Sequence, residues 1–180
     1  MWAREPGFPT LIQIILEQQV SLAAARTVYR RLIGHLGGMT PEVVQAVGED
    51  GLRDFGLTRQ KARYCHGLAT RMLDGRLDLS SVAMAPDDRG RERLLAIPGL
   101  GPWSVDIYYL MALRRPDVWP RGDLALASAL RDVKRLDAIP TRDEQQRLVC
   151  DWSPWRAVAA RILWAHYLAA RGQYRPTSKS

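Results

Sequence analysis

The chain predicts an all-α fold, and three features of the sequence predict it. Apolar residues recur three and four apart, as in Leu11, Ile12, Ile14, Ile15 and Leu16, the spacing of one helix face. No segment sustains the period-two alternation of β-branched residues that marks a strand. Helix starts and stops punctuate the whole length, with Ser, Thr and Asp before apolar runs and Gly or Pro after them.

Taken in order, a first helix is expected near Pro9–Glu17. Ser21 is an N-cap type for the next, Leu22–Leu36, which Gly37-Gly38 closes. Thr40-Pro41 opens a short helix, because a capping hydroxyl followed by proline suits a first turn. Thr58 opens another that runs to about Asp74-Gly75, and Leu77–Asp88 reads as less regular. Arg89–Ala96 and Pro102–Leu113 form two helical arms on either side of Pro98-Gly99-Leu100-Gly101. A further helix is expected from Asp123 to about Asp137. Thr141-Arg142-Asp143-Glu144 has the spacing of a capping box. Ser153-Pro154 should begin a last helix ending at Arg171-Gly172, with residues 173–180 a disordered tail. Residues 1–172 are expected to make a single helical unit, the alternative being two helical lobes with a cleft between them.

Composition narrows the partners. The formal net charge is +7 and the pI about 9.9, with arginine supplying 23 of the 26 basic residues. Such a surplus favours polyanions and speeds encounters with them, although composition bias alone can produce it. Two cysteines, Cys65 and Cys150, are too few for a disulfide framework or a cysteine-ligated cluster. Each is expected to be a small buried apolar residue. His35, His66 and His166 are scattered without metal-ligand spacing. The start MWAREPGFP lacks a signal-peptide pattern, and no apolar run approaches membrane-spanning length. A soluble, cytoplasmic protein is therefore expected. A start so close to the first helix leaves open that residues precede Met1.

The stretch from Leu94 to Asp123 carries the most chemistry. Gly99 and Gly101 allow the backbone to turn with positive φ and leave its amides bare. The N–H groups of Gly101, Trp103 and Ser104 could then donate to a phosphate at the positive end of a helix dipole. Pro102 fixes φ at the first helical position without losing a helical hydrogen bond. Leu94, Leu95, Ile97, Leu100 and Val105 are expected to lock the arms together. An ordinary helical hairpin is the competing reading. The second arm is ~18 Å long at 1.5 Å per residue. The segment Arg114–Gly122 can reach ~30 Å when extended. The chain is thus long enough to return along the arm and bring Asp123 near the phosphate seat.

At these residues the sequence resembles the helix-hairpin-helix DNA glycosylases, most nearly their alkylbase branch, 3-methyladenine DNA glycosylase II. The resemblance rests on Ile97-Pro98-Gly99-Leu100-Gly101 followed by Trp119-Pro120-Arg121-Gly122-Asp123. It extends to Ile15-Leu16-Glu17-Gln18-Gln19-Val20-Ser21 and to Ser153-Pro154-Trp155-Arg156 leading to Trp164, covering about residues 8–172. It implies a helix-hairpin-helix glycosylase core of about eight to ten helices without an N-terminal β lobe. Relatives with lyase activity carry a lysine just after the second hairpin glycine, where this chain has Trp103. A Schiff base with the sugar is not expected there. The four-cysteine iron–sulfur motif of some relatives is missing, and Ile107 stands where many carry an aromatic residue.

The resemblance assigns roles. Asp123 would be the catalytic carboxylate, stabilising positive charge on the sugar as the N-glycosidic bond breaks and orienting or deprotonating water. A plain N-cap is the competing reading. Asp106 reads as a structural acid in the early turns of its arm, and Asp117 as turn chemistry. Trp103 and Trp164 would wall a base pocket, since an indole face suits a cationic alkylated purine. Tyr108 is carried as a third candidate wall, although its side chain should point about 100° away from that of Ile107 and core or rim is the favoured reading for it, as for Tyr109 and Trp155. Gln19 would be the wedge that fills the gap left by the flipped nucleotide, with Gln18 supporting the loop or touching the duplex. A solvated loop is the alternative for both. Pro98, Gly99, Leu100, Gly101 and Ser104 would complete the DNA contact. The carbonyls of Leu95, Ile97 and Leu100 would hold a structural Na+ or K+.

The function implied is removal of alkylated purines from duplex DNA by hydrolysis, monofunctional, leaving an abasic site. No catalytic cofactor and no iron–sulfur cluster are expected, the partner is damaged double-stranded DNA rather than a membrane, and the protein would act as a monomer at the bacterial nucleoid. Competing readings are a glycosylase for oxidised or deaminated bases, a non-catalytic helix-hairpin-helix DNA-binding module, and a helical scaffold unrelated to DNA.

Overall fold

A computed structural model describes residues 3–172, and among these there are ten α-helices, one 3-10 turn and no strand. The tail expected to be disordered, residues 173–180, lies outside the described residues. The chain packs as two compact units, one of residues 3–113 and one beginning at Arg114.

The first unit holds α1 (Phe8–Glu17), α2 (Leu22–Leu36), α3 (Pro41–Asp54), α4 (Arg59–Leu73), α5 (Leu79–Met84), α6 (Asp87–Leu95) and α7 (Pro102–Met111). Helix α1 is its centre and packs against α2, α4 and α7. Leu11, Ile12, Ile14, Ile15 and Leu16 are all buried, so the helix is covered on nearly every side. Ser21, Thr40 and Thr58 cap α2, α3 and α4, each hydroxyl accepting a backbone N–H three residues on.

Two expectations change here. The short helix at Pro41 runs to Asp54 as two helical segments meeting at Gly48, where φ of +71° breaks the spiral. The segment read as irregular contains α5, because Asp78 accepts hydrogen bonds from the N–H groups of Ser80 and Ser81 and so starts a turn. Cys65 is buried as expected, and burial pushes its thiol up to about 12.

The second unit holds α8 (Leu124–Lys134), α9 (Arg142–Leu148), the 3-10 turn Cys150–Trp152 and α10 (Arg156–Ala169), with α8 packed on α10. The capping box forms as its spacing predicts: Thr141 Oγ1 accepts from the Glu144 N–H, and the Glu144 carboxylate accepts from the Thr141 N–H. The last helix starts at Arg156 rather than at Ser153-Pro154. Those residues turn instead against Asp117, which accepts from Ser153 Oγ at 2.9 Å and binds Arg156 through both oxygens at 2.6 and 2.7 Å. Asp117 is thus an ion-pair anchor rather than a simple turn residue, and the guanidinium beside it lowers its carboxyl to about 2. Cys150 is also corrected: it is exposed, its thiol donating to Asp151.

Candidate nucleic-acid interface and catalytic carboxylate

The hairpin forms where the sequence places it, with α6 beginning two residues early at Asp87 and α7 ending at Met111. Its two arms are chemically unlike. Helix α6 is a surface helix that buries only Gly90 and Leu94, whereas α7 is buried from Ser104 through Met111. Leu94, Ile97, Leu100 and Val105 are all buried, as an apolar seam between the arms requires, but Leu95 is exposed. A polar fastener supplements the seam: Arg91 pairs with the buried Asp106 carboxylate and lays its guanidinium over the Tyr109 ring at 4.4 Å. Asp106 is therefore structural, as its position suggested.

The two turn glycines do different work. Gly99 has φ of +95°, and a Cβ there would run into the Tyr64 ring of α4, within 2.6 Å of Cδ2. That position needs glycine for both backbone and space. Gly101 has φ of −83°, so the expected positive φ holds for only one of the pair. A Cβ on Gly101 would meet nothing within 4 Å, so its bareness faces open space. Helix α7 begins there with no side-chain cap, and its first backbone bond is Val105 N–H to Gly101 O at 3.0 Å. The amides of Gly101, Trp103 and Ser104 precede that bond, the arrangement that lets a helix start receive an anion. Pro98 and Gly101 are exposed, Trp103 is half-buried, and Leu100 and the Ser104 side chain are buried. The hydroxyl of Ser104 therefore serves the interior, leaving only its amide for a ligand.

Gln18 and Gln19 diverge in the same way. Gln18 Nε2 donates to Gly99 O at 2.7 Å and to Ser104 Oγ at 2.8 Å, fastening the loop after α1 to the hairpin. Gln19 is exposed and sits at φ of +57°. The carbonyls that the resemblance assigns to a cation, those of Leu95, Ile97 and Leu100, do not include the Gly99 oxygen that Gln18 takes. Such uncharged oxygens suit a hard cation, and Ile97 O also accepts the Leu100 N–H at 3.0 Å.

Tyr108 is corrected from a pocket wall to core. It is fully buried, its hydroxyl accepts the Gly7 N–H at 3.1 Å, and it presents no face to a base. Tyr109 is buried too, whereas Trp155 is largely exposed.

In the second unit Asp123 is the N-cap of α8 and is almost fully buried. The segment before it, Val118 to Pro120, is buried, and Gly122 turns the backbone at φ of +81°. Asp123 Oδ1 accepts from the Leu126 N–H at 2.9 Å and from the Trp164 indole N–H at 3.2 Å. The capping role is thus real, and it fixes the carboxylate at the positive end of α8. Trp164 is buried on α10 with its edge, rather than only its face, engaged. The sequence reading missed that partnership; 41 positions separate the two residues, and no local signal links them. It also missed Tyr64 and Lys61 of α4, which stand behind the hairpin and the glutamine loop.

Among the described residues, no group of three His, Cys, Asp or Glu is clustered to hold a metal, and no helix is long and apolar enough to cross a membrane.

An all-helical chain with a Gly/Pro hairpin and a carboxylate on a Gly/Pro loop defines a class. The chain belongs to the HhH-GPD superfamily of base excision DNA repair proteins, whose pattern matches residues 12–154. It is 29% identical to DNA-3-methyladenine glycosylase 1 of Schizosaccharomyces pombe, covering 91% of this chain and 73% of that one. It is 24% identical to a DNA-3-methyladenine glycosylase of Bacillus subtilis, covering 88% of this chain but only 57% of the relative's length. In structure it is similar to a DNA-3-methyladenine glycosidase from Bacillus halodurans, with a TM-score of 0.80 and 27% identity, over 96% of this chain and 80% of that one. It is also similar to the Schizosaccharomyces pombe 3-methyladenine DNA glycosylase in complex with abasic DNA, with a TM-score of 0.85 and 25% identity, over 96% and 85%.

Proposed function

We propose that this protein hydrolyses the N-glycosidic bond of alkylated purines in duplex DNA and leaves an abasic site. The observation that carries the reading is Asp123: a buried carboxylate on a Gly/Pro loop, aimed by the Leu126 amide and the Trp164 indole. Breaking an N-glycosidic bond builds positive charge on the sugar, and a fixed anion stabilises that charge with little reorganisation. Water is the nucleophile, oriented or deprotonated by the same carboxylate. Trp103 occupies the hairpin position where a lyase would need an amine, so the reaction stops at base release.

The hairpin supplies grip without sequence preference, because phosphate contacts position while base contacts specify. The Gly101, Trp103 and Ser104 amides hold a phosphate. A Na+ or K+ on the carbonyls of Leu95, Ile97 and Leu100 would add positive charge beside it. Gln19 acts as the wedge, and the half-buried Trp103 ring offers stacking surface to a cationic purine, while the buried Trp164 serves the reaction through its indole N–H to Asp123. The relatives named for 3-methyladenine support the alkylated purine as substrate, and the relative solved with abasic DNA supports that product. The protein works as a monomer at the bacterial nucleoid.

The test is base release from duplexes each bearing one defined lesion, analysed with and without alkali. Strand breaks on 3-methyladenine only after alkali are the expected result. Breaks without alkali would exclude a monofunctional enzyme. Duplex binding with no release from any lesion would reduce the protein to a binding module.

A further inference from the structure

Lys61 belongs neither to the hairpin nor to the carboxylate loop, yet its ammonium sits on the backbone linking α1 to α2. Nζ donates to Leu16 O at 2.6 Å and to Gln18 O at 2.9 Å. These carbonyls lie at the C-terminal end of α1, where a helix lacks internal partners and a lysine can supply them. Gln18 carries the connection onward, its side-chain amide reaching Gly99 and Ser104 of the hairpin. One residue further, Gln19 holds a left-handed backbone that a side chain disfavours and that persists only when its surroundings impose it. Gln19, Val20 and Leu22 are all exposed. An exposed, strained tip is thus tied to the phosphate-binding turn through one ammonium and one amide.

We propose that Lys61 is a positioning residue for base extrusion: it holds the Gln18-Gln19 loop at a fixed offset from the hairpin, so that gripping a phosphate and inserting Gln19 occur in register. The inference rests on the glycosylase reading above. Extrusion works against stacking and pairing, so a wedge on a yielding loop would recoil instead of displacing the base. Lysine suits the task because its long stem reaches from α4 and its head carries three donors on one atom. Burial pulls the Lys61 ammonium below its usual range, so the group gives up hydration to make these contacts.

The test compares two substrates that differ only in pairing: one alkylated purine in a fully paired duplex and in the same strand alone. Lys61→Met keeps the stem and removes the donors. Its single-turnover release should fall about tenfold or more on the duplex, the scale of a misplaced group. Release from the single strand should stay within about twofold of wild type. Lys61→Arg, which keeps donors, should recover part of the duplex rate. In a Gln19→Ala background, Lys61→Met should cost nothing further on the duplex, since the two act as one device. Equal losses on both substrates, or full additivity with Gln19→Ala, would overturn the inference and leave Lys61 a helix cap. Gln18→Met cuts the other end of the connection and must show the same selectivity should Lys61→Met fold poorly. A wild type that releases no base from either substrate would sink the glycosylase reading itself, and this inference with it.

Discussion

Asp106 and Asp123 are both buried aspartates near helix starts, Asp106 in the second turn of α7 and Asp123 at the cap of α8, and their surroundings differ. Asp106 faces the guanidinium of Arg91. A full positive charge at contact distance cancels most of the field a carboxylate can project. Asp123 Oδ1 accepts from an amide and from an indole, both neutral dipoles. Dipoles of that kind fix the direction in which a carboxylate oxygen points. Burial and residue type are shared, and the two differ in the contacts that hold them: a guanidinium and its neighbouring ring for Asp106, a helix amide and an indole N–H for Asp123.

The comparison is tested most severely at Asp123. Asp123→Asn should lower base release by about a thousandfold or more, the scale of losing a charge-stabilising group, while duplex affinity changes little. Near-normal turnover by this variant would remove the carboxylate from the chemistry. Asp106→Asn should do the reverse: thermal unfolding should report a loss of about 2–4 kcal/mol from stranding Arg91, with base release per folded molecule close to wild type. A catalytic defect in folded Asp106→Asn would erase the distinction.

The hairpin offers the next contrast. Gly99→Ala should destabilise by about 2–3 kcal/mol, because the new Cβ meets Tyr64 and the backbone is left-handed. Gly101→Ala should cost less than about 0.5 kcal/mol in denaturant unfolding, since nothing is in its way. It should still weaken duplex binding, because the methyl group intrudes where a phosphate would sit. Unimpaired binding by Gly101→Ala would mean the open side of the turn receives no phosphate.

Trp164→Phe keeps an aromatic ring, though a smaller one, and removes the N–H that aims Asp123. It should lower kcat about tenfold with a smaller change in KM, the signature of an interaction felt in the transition state. A small, pH-dependent effect belongs to the Asp117–Arg156 pair. Its folded carboxyl titrates near 2, below the ordinary value near 3.8. The stabilisation is therefore complete above pH 4 and is lost as pH falls toward 2. With solvent reaching the pair, Asp117→Asn should cost about 1 kcal/mol at pH 7, and the difference from wild type should vanish near pH 2. A constant difference across that range would show that charge is not its source.

Helix starts were legible because a cap is a local contract: Ser21, Thr58 and Thr141 each bond an amide only three residues away. Asp78 obeys the same rule, but the six-residue helix it starts is too short for apolar periodicity to show. The hairpin was legible from Pro98-Gly99-Leu100-Gly101, although the sequence could not tell that Gly99 answers to Tyr64 and Gly101 to open space. Tyr108 misled because an aromatic beside a candidate pocket and an aromatic in a core look identical in one dimension. Cys150 misled for the converse reason, since apolar character favours burial without enforcing it.

The amino-acid order by itself determined the helical class, most of the helix starts and the tight turn, because those depend on backbone preferences and contacts within about four residues, while the candidate carboxylate was picked out by the family resemblance at Trp119–Asp123. Only the tertiary structure decided that Trp164 aims Asp123, that Arg91 neutralises Asp106, and that Lys61 and Gln18 brace the loop beside the hairpin. Those pairings join distant positions whose side chains could satisfy themselves in many ways. The choice among them is made by packing, which brings particular helix faces together and buries the polar groups that must then find each other.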